Sequence, residues 1–234
     1  MYKNKISIVM PCFNEEINII EIHHQLIETN LLNNKDYEII FVDNGSQDNT
    51  AHNLTKLLDK FFNVRIISIS KNIGYGNGMK KGIEEATNDI ICTAHADLQV
   101  SLIHLERFFD EEIIDKFDVK KAYKGKRINR SIIDIFFTKM MSIIVFIFKG
   151  HLINDINAQP KIFSKKLIIN ELSKSPNDFL FDLYLLHSLK LQNIKIIEHS
   201  FISYKRIHGE PKGGGSFIGK IKLSFKSLLY IIFK

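Results

Sequence analysis

Four short polar segments, each following an apolar run, carry most of the side chains suited to chemistry. The first is Pro11-Cys12-Phe13-Asn14-Glu15-Glu16, in which a proline ends the apolar run and acids open a helix. The second, Asp43-Asn44-Gly45-Ser46-Gln47-Asp48-Asn49-Thr50, places an acid at the end of a run and then a tight turn. Ser46 or Asp48 can cap the helix that follows, whereas Asp43 has no such local duty and can accept hydrogen bonds from a base or ribose. The third, Asn72-Ile73-Gly74-Tyr75-Gly76-Asn77-Gly78, lets backbone approach a ligand closely because glycine has no Cβ. The fourth is His95-Ala96-Asp97-Leu98-Gln99. In an extended segment alternate side chains share a direction, so His95, Asp97 and Gln99 converge. The oxygen donors of Asp97 and Gln99 suit a hard divalent ion whose other ligands are waters and diphosphate oxygens.

The runs that must position these segments are Ile6–Met10, Tyr37–Val42, Val64–Ser68 and Asp89–Ala94. They are short, rich in β-branched residues and separated by helix-length stretches, a pattern that predicts a parallel, doubly wound α/β sheet. Ligands of such sheets gather at the carboxyl ends of the strands, where all four polar segments lie. After Gln99 the pattern loosens into a helix-like stretch from Leu102 to Phe117 and a basic segment from Lys120 to Arg130. Gly213-Gly214-Gly215 reads as a mobile loop rather than a domain boundary.

Composition narrows the class. The 234 residues are 45% apolar, enough for one large domain with a substantial core, and carry a net charge of +6. Nucleic acid, anionic lipid and phosphorylated substrates all remain electrostatically compatible. Cys12 and Cys92 lie far apart, outside any metal or redox spacing, which fits a reducing, cytoplasmic setting. No secretory signal is expected, and the longest apolar stretch, Ile132 to Phe148, contains Asp134 and Lys139 and falls short of the ~20 residues of a spanning helix. The absence of Trp and of an aromatic-basic signature argues against a nucleic-acid partner.

The four polar segments, taken in this order, resemble the nucleotide-sugar half of family 2 glycosyltransferases, and within them the dolichyl-phosphate mannose synthase-like branch that transfers sugars to polyprenyl phosphates. Ser7 to Glu16 looks like the first signature of that family, Val42 to Thr50 like the second, and Ala96-Asp97-Leu98-Gln99 like its metal-binding motif. The resemblance implies a GT-A type fold, a Rossmann-like mostly parallel sheet flanked by helices. It implies nucleotide-sugar binding, UDP- or GDP-linked, by Pro11, Phe13, Glu15, Asp43, Asn72, Gly74 and Asp97. Asp97 and Gln99 would hold Mg²⁺ or Mn²⁺. His95 is a departure, because the family usually has an acid at that position; the metal is assigned to Asp97 and Gln99 alone.

In the second half, Asn154 to Phe163 resembles the acceptor-side segment of the same branch, and Asp178 to Asp182 and Tyr204 to Glu210 also look family-like. Asp178 and Asp182 read equally as a helix start with an i, i+4 acidic pair or as acceptor-side acids. Acceptor and phosphate contacts are expected from Arg127, Gln159, Lys161, Arg206 and Lys212, with Arg206 foremost because a guanidinium engages phosphate oxygens bidentately. Asp97, Asp182 and Arg206 are the catalytic candidates. A polyprenyl phosphate acceptor is already anionic and needs little help from a base, whereas a sugar hydroxyl requires Asp182 or Asp178 to take its proton.

Near the C-terminus, Ile218, Ile221, Phe225, Leu228, Leu229 and Ile232 recur at helical spacing, with Lys220, Lys222 and Lys226 off that face. This is the pattern of a basic interfacial helix, or of a terminal helix packed on the domain. Ile132 to Phe148, flanked by Lys126, Arg127, Arg130 and Lys149, offers a second such surface. The expected organisation is one GT-A domain over 1–216, with a nucleotide-sugar half (1–100) and an acceptor half (101–216), then a basic amphipathic segment, 217–234. The enzyme is expected at the inner face of a membrane, peripherally, inverting and metal-dependent. A transferase that extends a capsule, lipopolysaccharide or glycoprotein saccharide, and a non-catalytic basic binding protein, are the alternatives.

Overall fold

A computed structural model describes residues 5–29, 31, 36–58, 60–109, 118–128, 131–202, 204, 206, 208–209 and 217–233. The strands are β1 (Ile6–Cys12), β2 (Tyr37–Asp43), β3 (Val64–Ser68), β4 (Ile90–Thr93), β5 (Lys121–Ile128), β6 (Lys161–Ser164) and β7 (Lys195–Ile202). The helices are α1 (Glu16–Glu28), α2 (Thr50–Leu58), α3 (Tyr75–Glu85), α4 (Leu102–Phe108), α5 (Ile132–Lys149), α6 (Phe181–Leu191) and α7 (Phe217–Phe233). All seven strands form one sheet in the order β3-β2-β1-β4-β6-β5-β7. Only β6 runs against its neighbours β4 and β5; the other pairings are parallel.

The four expected strands form, and β1 extends further than the proline suggested. Val9 accepts from Ala94 N on the β4 side and Cys12 from Asn44 N on the β2 side. By alternation Pro11 faces the β4 side, beyond the residue where β4 ends, so its missing N–H breaks no ladder bond. The basic segment after Lys120 is β5, a strand that composition alone did not reveal. Of the helix expected from Leu102 to Phe117, α4 accounts for the first part, and 110–117 lie outside the described residues.

Alternate residues of the parallel strands enter two separate cores. Ile6, Ile8 and Met10 of β1 pack with Ile19, Ile22 and Leu26 of α1 on one face. Val9, Ile40 and Val42 pack with Met79 and Ile83 of α3 and with Leu185 and Leu189 of α6 on the other. Full burial of such side chains contributes about 1.5–3 kcal/mol each, and this fixes the strand ends that carry the polar segments. Cys12 and Cys92 are buried thiols in this interior. A third cluster joins Met141 and Val145 of α5, Leu183 and Leu186 of α6 and Ile231 of α7. Ser131 caps α5 by accepting from Asp134 N at 3.1 Å, and Gly150 ends it in the left-handed region.

The glycines of the third polar segment permit close packing of backbone on backbone. A Cβ on Gly76 would lie 2.3 Å from Pro176 O, and one on Gly74, at φ +129°, would lie 2.3 Å from Asn177 O. The start of α3 therefore sits directly on the 175–178 chain, to which Asn77 N donates at 2.9 Å through Asn177 O. Gly76→Ala is expected to cost about 1–3 kcal/mol through overpacking. In a chain of this size that lowers the melting temperature by several degrees. An unchanged melting curve would show that the 175–178 segment yields freely.

Candidate active site

A cavity of about 660 Å³ opens at the carboxyl ends of β1, β2 and β4, within the size range of small-molecule sites. Of the nucleotide-side candidates, Pro11, Phe13, Glu15, Asn72 and Gly74 line it. Asp97 and Gln99 do so as well, and from the second half of the chain Arg127, Gln159, Asp182 and Arg206 complete the wall. Lys212 and the glycine loop 213–215 lie outside the described residues.

Two candidates are placed differently from expectation. Asp43 is buried off the cavity wall, and its Oδ1 accepts from Ser46 N at 3.0 Å, so it does have a local duty: it closes the turn after β2. The next residue, Asn44, lines the cavity instead. Asn44 Nδ2 donates to Gly74 O at 3.0 Å, while its buried Oδ1 has no hydrogen-bond partner among the described residues. A buried acceptor left in this state costs about 1–3 kcal/mol, which a ligand N–H would recover. Sequence reasoning passed over Asn44 because the neighbouring acid carried the more conspicuous chemistry. Lys161 likewise stands behind the wall, and its ammonium is engaged by Asp182 rather than offered to a phosphate.

That engagement is the centre of a buried network. Lys161 Nζ lies 2.9 Å from Asp182 Oδ1, with both side chains 2% exposed. Burial pulls the Lys161 pKa below its ordinary value, an effect that the Asp182 charge opposes. Gln159 reaches Thr93 at the end of β4 and the Tyr75 hydroxyl at the start of α3. Tyr75 stacks on Phe179 with ring centroids 5.2 Å apart, and its hydroxyl is 3.0 Å from His95 Nε2. Burial raises the Tyr75 pKa well above its usual value, with the Asp182 charge adding to the effect, and burial lowers that of His95.

At the mouth, Arg206 joins two acids. Its Nη2 lies 2.5 Å from both carboxylate oxygens of Glu15, and Nη1 lies 3.7 Å from Asp97 Oδ2. Its Nε donates to His208 O at 2.7 Å. Arg127 is held by Asp155 through Nε at 2.9 Å and through Nη2. Burial works to lower the Arg127 pKa, but the hydrogen bonds and charge of Asp155 outweigh it and raise the value.

The segment after β4 is not extended throughout. Leu98 adopts φ +56°, which breaks the alternation and turns the Gln99 amide toward Tyr204 O at 3.5 Å. Asp97 Oδ1 accepts from Gln99 N at 3.1 Å. Among the described residues no group of three or more His, Cys, Asp or Glu side chains gathers as a metal site. Asp97 and Gln99 both line the cavity and carry oxygen donors of the type a hard divalent ion takes. The placement of Arg206 between Glu15 and Asp97 shows that this spot favours positive charge.

Residues 7–120 match the profile of glycosyl transferase family 2. Over those residues the chain is similar to that family. It is 33% identical over 101 residues to an undecaprenyl-phosphate 4-deoxy-4-formamido-L-arabinose transferase of Proteus mirabilis, a match covering 41% of this chain and 30% of that protein. It is 30% identical over 144 residues to CsbB of Bacillus subtilis, covering 61% of this chain and 44% of CsbB. The chain thus spans less than half the length of these relatives. Among solved structures it is similar to glucosyl-3-phosphoglycerate synthase from Mycobacterium tuberculosis in complex with Mn²⁺, UDP and phosphoglyceric acid. That match has a TM-score of 0.69 at 14% identity and covers 98% of this chain and 77% of the other. It also resembles a mannosyltransferase from Pyrobaculum calidifontis in complex with GDP-Man and Mn²⁺, with a TM-score of 0.60 at 14% identity and coverage of 99% and 69%. These likenesses identify the fold as GT-A type.

The buried pair gives a direct test of how the site is held. Lys161→Met leaves Asp182 as a buried charge without its cation and is expected to destabilise the fold by about 3–5 kcal/mol. Lys161→Met combined with Asp182→Leu should recover most of that loss. Chemical denaturation of the two variants decides the matter: equal destabilisation would mean that the two groups are not energetically coupled.

Proposed function

We propose that the protein transfers a sugar from a UDP- or GDP-linked nucleotide sugar to a polyprenyl phosphate at a membrane surface, with inversion and with Mg²⁺ or Mn²⁺ at the diphosphate. The observation that carries this reading is where the cavity opens. Its wall includes Asp134, Phe137 and Thr138 of α5 and Leu223, Ser224 and Ser227 of α7. On their outer faces the same two helices expose Ile132, Phe136, Ile143 and Ile147, and Ile218, Ile221, Phe225 and Leu229. The apolar stripe of α7 is thus not the face that packs on the domain: Tyr230 and Ile231 pack inward instead. An apolar outer surface with Lys139 and Lys222 exposed on it suits an anionic bilayer, from which a lipid-borne phosphate reaches the cavity between the helices. Among the described residues no helix is long and apolar enough to cross a membrane.

In this reading the acceptor phosphate oxygen attacks the anomeric carbon while the bond to the nucleoside diphosphate breaks. Pro11, Phe13, Glu15 and Asn44 surround the nucleoside, the buried acceptor of Asn44 being suited to a base N–H. Asp97 and Gln99 hold the divalent ion, which offsets charge on the departing diphosphate when bound. Arg206, resting on Glu15 and near Asp97, moves its two-pronged guanidinium onto phosphate oxygens. Asp182 is tied to Lys161 and positions the floor of the site. A phosphate acceptor leaves it no proton to remove, which favours this reading over a saccharide acceptor.

The decisive assay supplies labelled nucleotide sugars with undecaprenyl phosphate or a soluble saccharide and follows label into an organic extract. Transfer to the lipid phosphate is expected, lost with EDTA and restored by Mn²⁺ or Mg²⁺, and Asp97→Asn should remove most of it. Label appearing only on the saccharide would replace the lipid acceptor with the saccharide-extending reading, and full activity under chelation would end the metal-dependent one. Ile221→Glu with Phe225→Glu alters only exposed side chains and should weaken co-sedimentation with anionic vesicles at least tenfold. Raising salt from 0.1 to 1 M shortens the Debye length from about 10 to about 3 Å and should weaken binding without abolishing it, because apolar burial is unscreened.

A further inference from the structure

The strand end that carries Asp97 also carries a nitrogen donor. His95 lines the cavity, and its Nδ1 lies 3.9 Å from Asp97 Oδ2. Which ring nitrogen keeps the lone pair follows from the groups behind it. Nε2 faces the Tyr75 hydroxyl at 3.0 Å. The Gln159 amide satisfies its surroundings with its oxygen 3.1 Å from both Lys161 Nζ and Tyr75 Oη, and its nitrogen 2.7 Å from Thr93 Oγ1 and 3.1 Å from Thr93 O. The reverse orientation would press its NH₂ against the Lys161 ammonium. The other group drawing on the Tyr75 proton is the Asp182 carboxylate, which only accepts. The one Tyr75 proton therefore goes to Gln159 or Asp182, and its oxygen accepts from His95 Nε2–H. That leaves the lone pair on Nδ1, on the side of Asp97.

We propose that His95 Nδ1 is a nitrogen ligand of the divalent ion, so that the site combines an imidazole with the oxygens of Asp97 and Gln99. The inference rests on the metal-dependent reading above. A separation of 3.9 Å between the two donors is within the span of two metal–ligand bonds of about 2.1 Å each. A ligating histidine characteristically donates its second N–H to a fixed partner, which sets both tautomer and ring orientation. Tyr75 fills that role and is itself clamped by stacking on Phe179 and by Gln159. An imidazole in place of an oxygen ligand shifts preference from Mg²⁺ toward Mn²⁺ and the later divalent metals. The residue that departs from the family pattern thus becomes a determinant of which metal is used.

The test is pulsed electron paramagnetic resonance of Mn²⁺ added to the full chain, alone and with UDP or GDP. Nitrogen modulation of the bound Mn²⁺ signal is expected, and its frequencies should change when the histidines are labelled with ¹⁵N, a readout that requires no variant. His95→Asp should keep Mn²⁺ bound, abolish the nitrogen signal and move the Mg²⁺ to Mn²⁺ affinity ratio toward Mg²⁺ by about tenfold or more. Bound Mn²⁺ without nitrogen modulation, or modulation that survives His95→Asp, overturns the assignment while leaving metal dependence intact. No Mn²⁺ bound in any of the three conditions overturns the metal-dependent reading and this inference together.

Discussion

An ammonium and a carboxylate held out of water, both in the second half of the chain, anchor a network that reaches Tyr75 and Thr93 in the first half through Gln159. Lys161 lies on β6 and Asp182 opens α6, and their 2.9 Å contact is almost wholly removed from solvent. Desolvating each ion costs several kcal/mol, so the arrangement persists only because Gln159, Tyr75 and Thr93 satisfy the surrounding donors and acceptors. The network makes demands on its neighbours. Tyr75 must enter at the first turn of α3, which requires Gly74 and Gly76 to let that turn rest on 175–178. Thr93 must end β4 at the level of Gln159, and this sets where His95 and Asp97 emerge into the cavity.

The charges at the mouth follow a different logic. Arg206 with Glu15, and Arg127 with Asp155, keep more of their surface in contact with the cavity than the inner pair does. Each guanidinium already has a carboxylate partner, so in the proposed function a diphosphate would have to enter by exchange, offering oxygens that replace Glu15 or Asp155. Such an exchange would trade one charge-assisted pair for another, and a bound divalent ion would offset part of the incoming charge. The inner pair has no comparable path to solvent. The inner pair holds the geometry, and the outer pairs are the ones placed to exchange partners.

The parallel half of the sheet was legible in the sequence because β1 to β4 are apolar on both faces, and such runs can form little else in an α/β chain. Strand β5 was hidden. Its Lys121, Lys124, Lys126 and Arg127 read only as part of a basic segment, yet Lys124 is buried beside Glu198 and the Asp155 carbonyl, contacts made from distant parts of the chain. The same limit applied at the site. The order of the polar segments identified the cavity wall, but the choice between Asp43 and Asn44 depended on a turn hydrogen bond to Ser46 that spacing does not encode. The glycines after β3 indicated close approach without saying of what. His95 was set aside because an imidazole departed from an acidic pattern; only its distances to Tyr75 and Asp97 show which nitrogen faces the cavity.

The two apolar helices acquire their meaning from where the cavity lies. Had α5 and α7 covered the opposite edge of the sheet, their exposed faces would suit any apolar partner. Instead, side chains of the same helices line the cavity on the inner side, Thr138, Ser224 and Ser227 among them. The cavity-facing side mixes polar residues with Phe137, Met141 and Leu223, whereas the outward side is dominated by large apolar residues, so the helices divide an ionic site from an apolar surface. The acceptor proposed above, a phosphate on a hydrocarbon tail, would meet both requirements at this boundary, whereas a wholly soluble acceptor would need only the first. On the reading proposed above, the apolar outer faces are what an amphipathic acceptor requires of the fold.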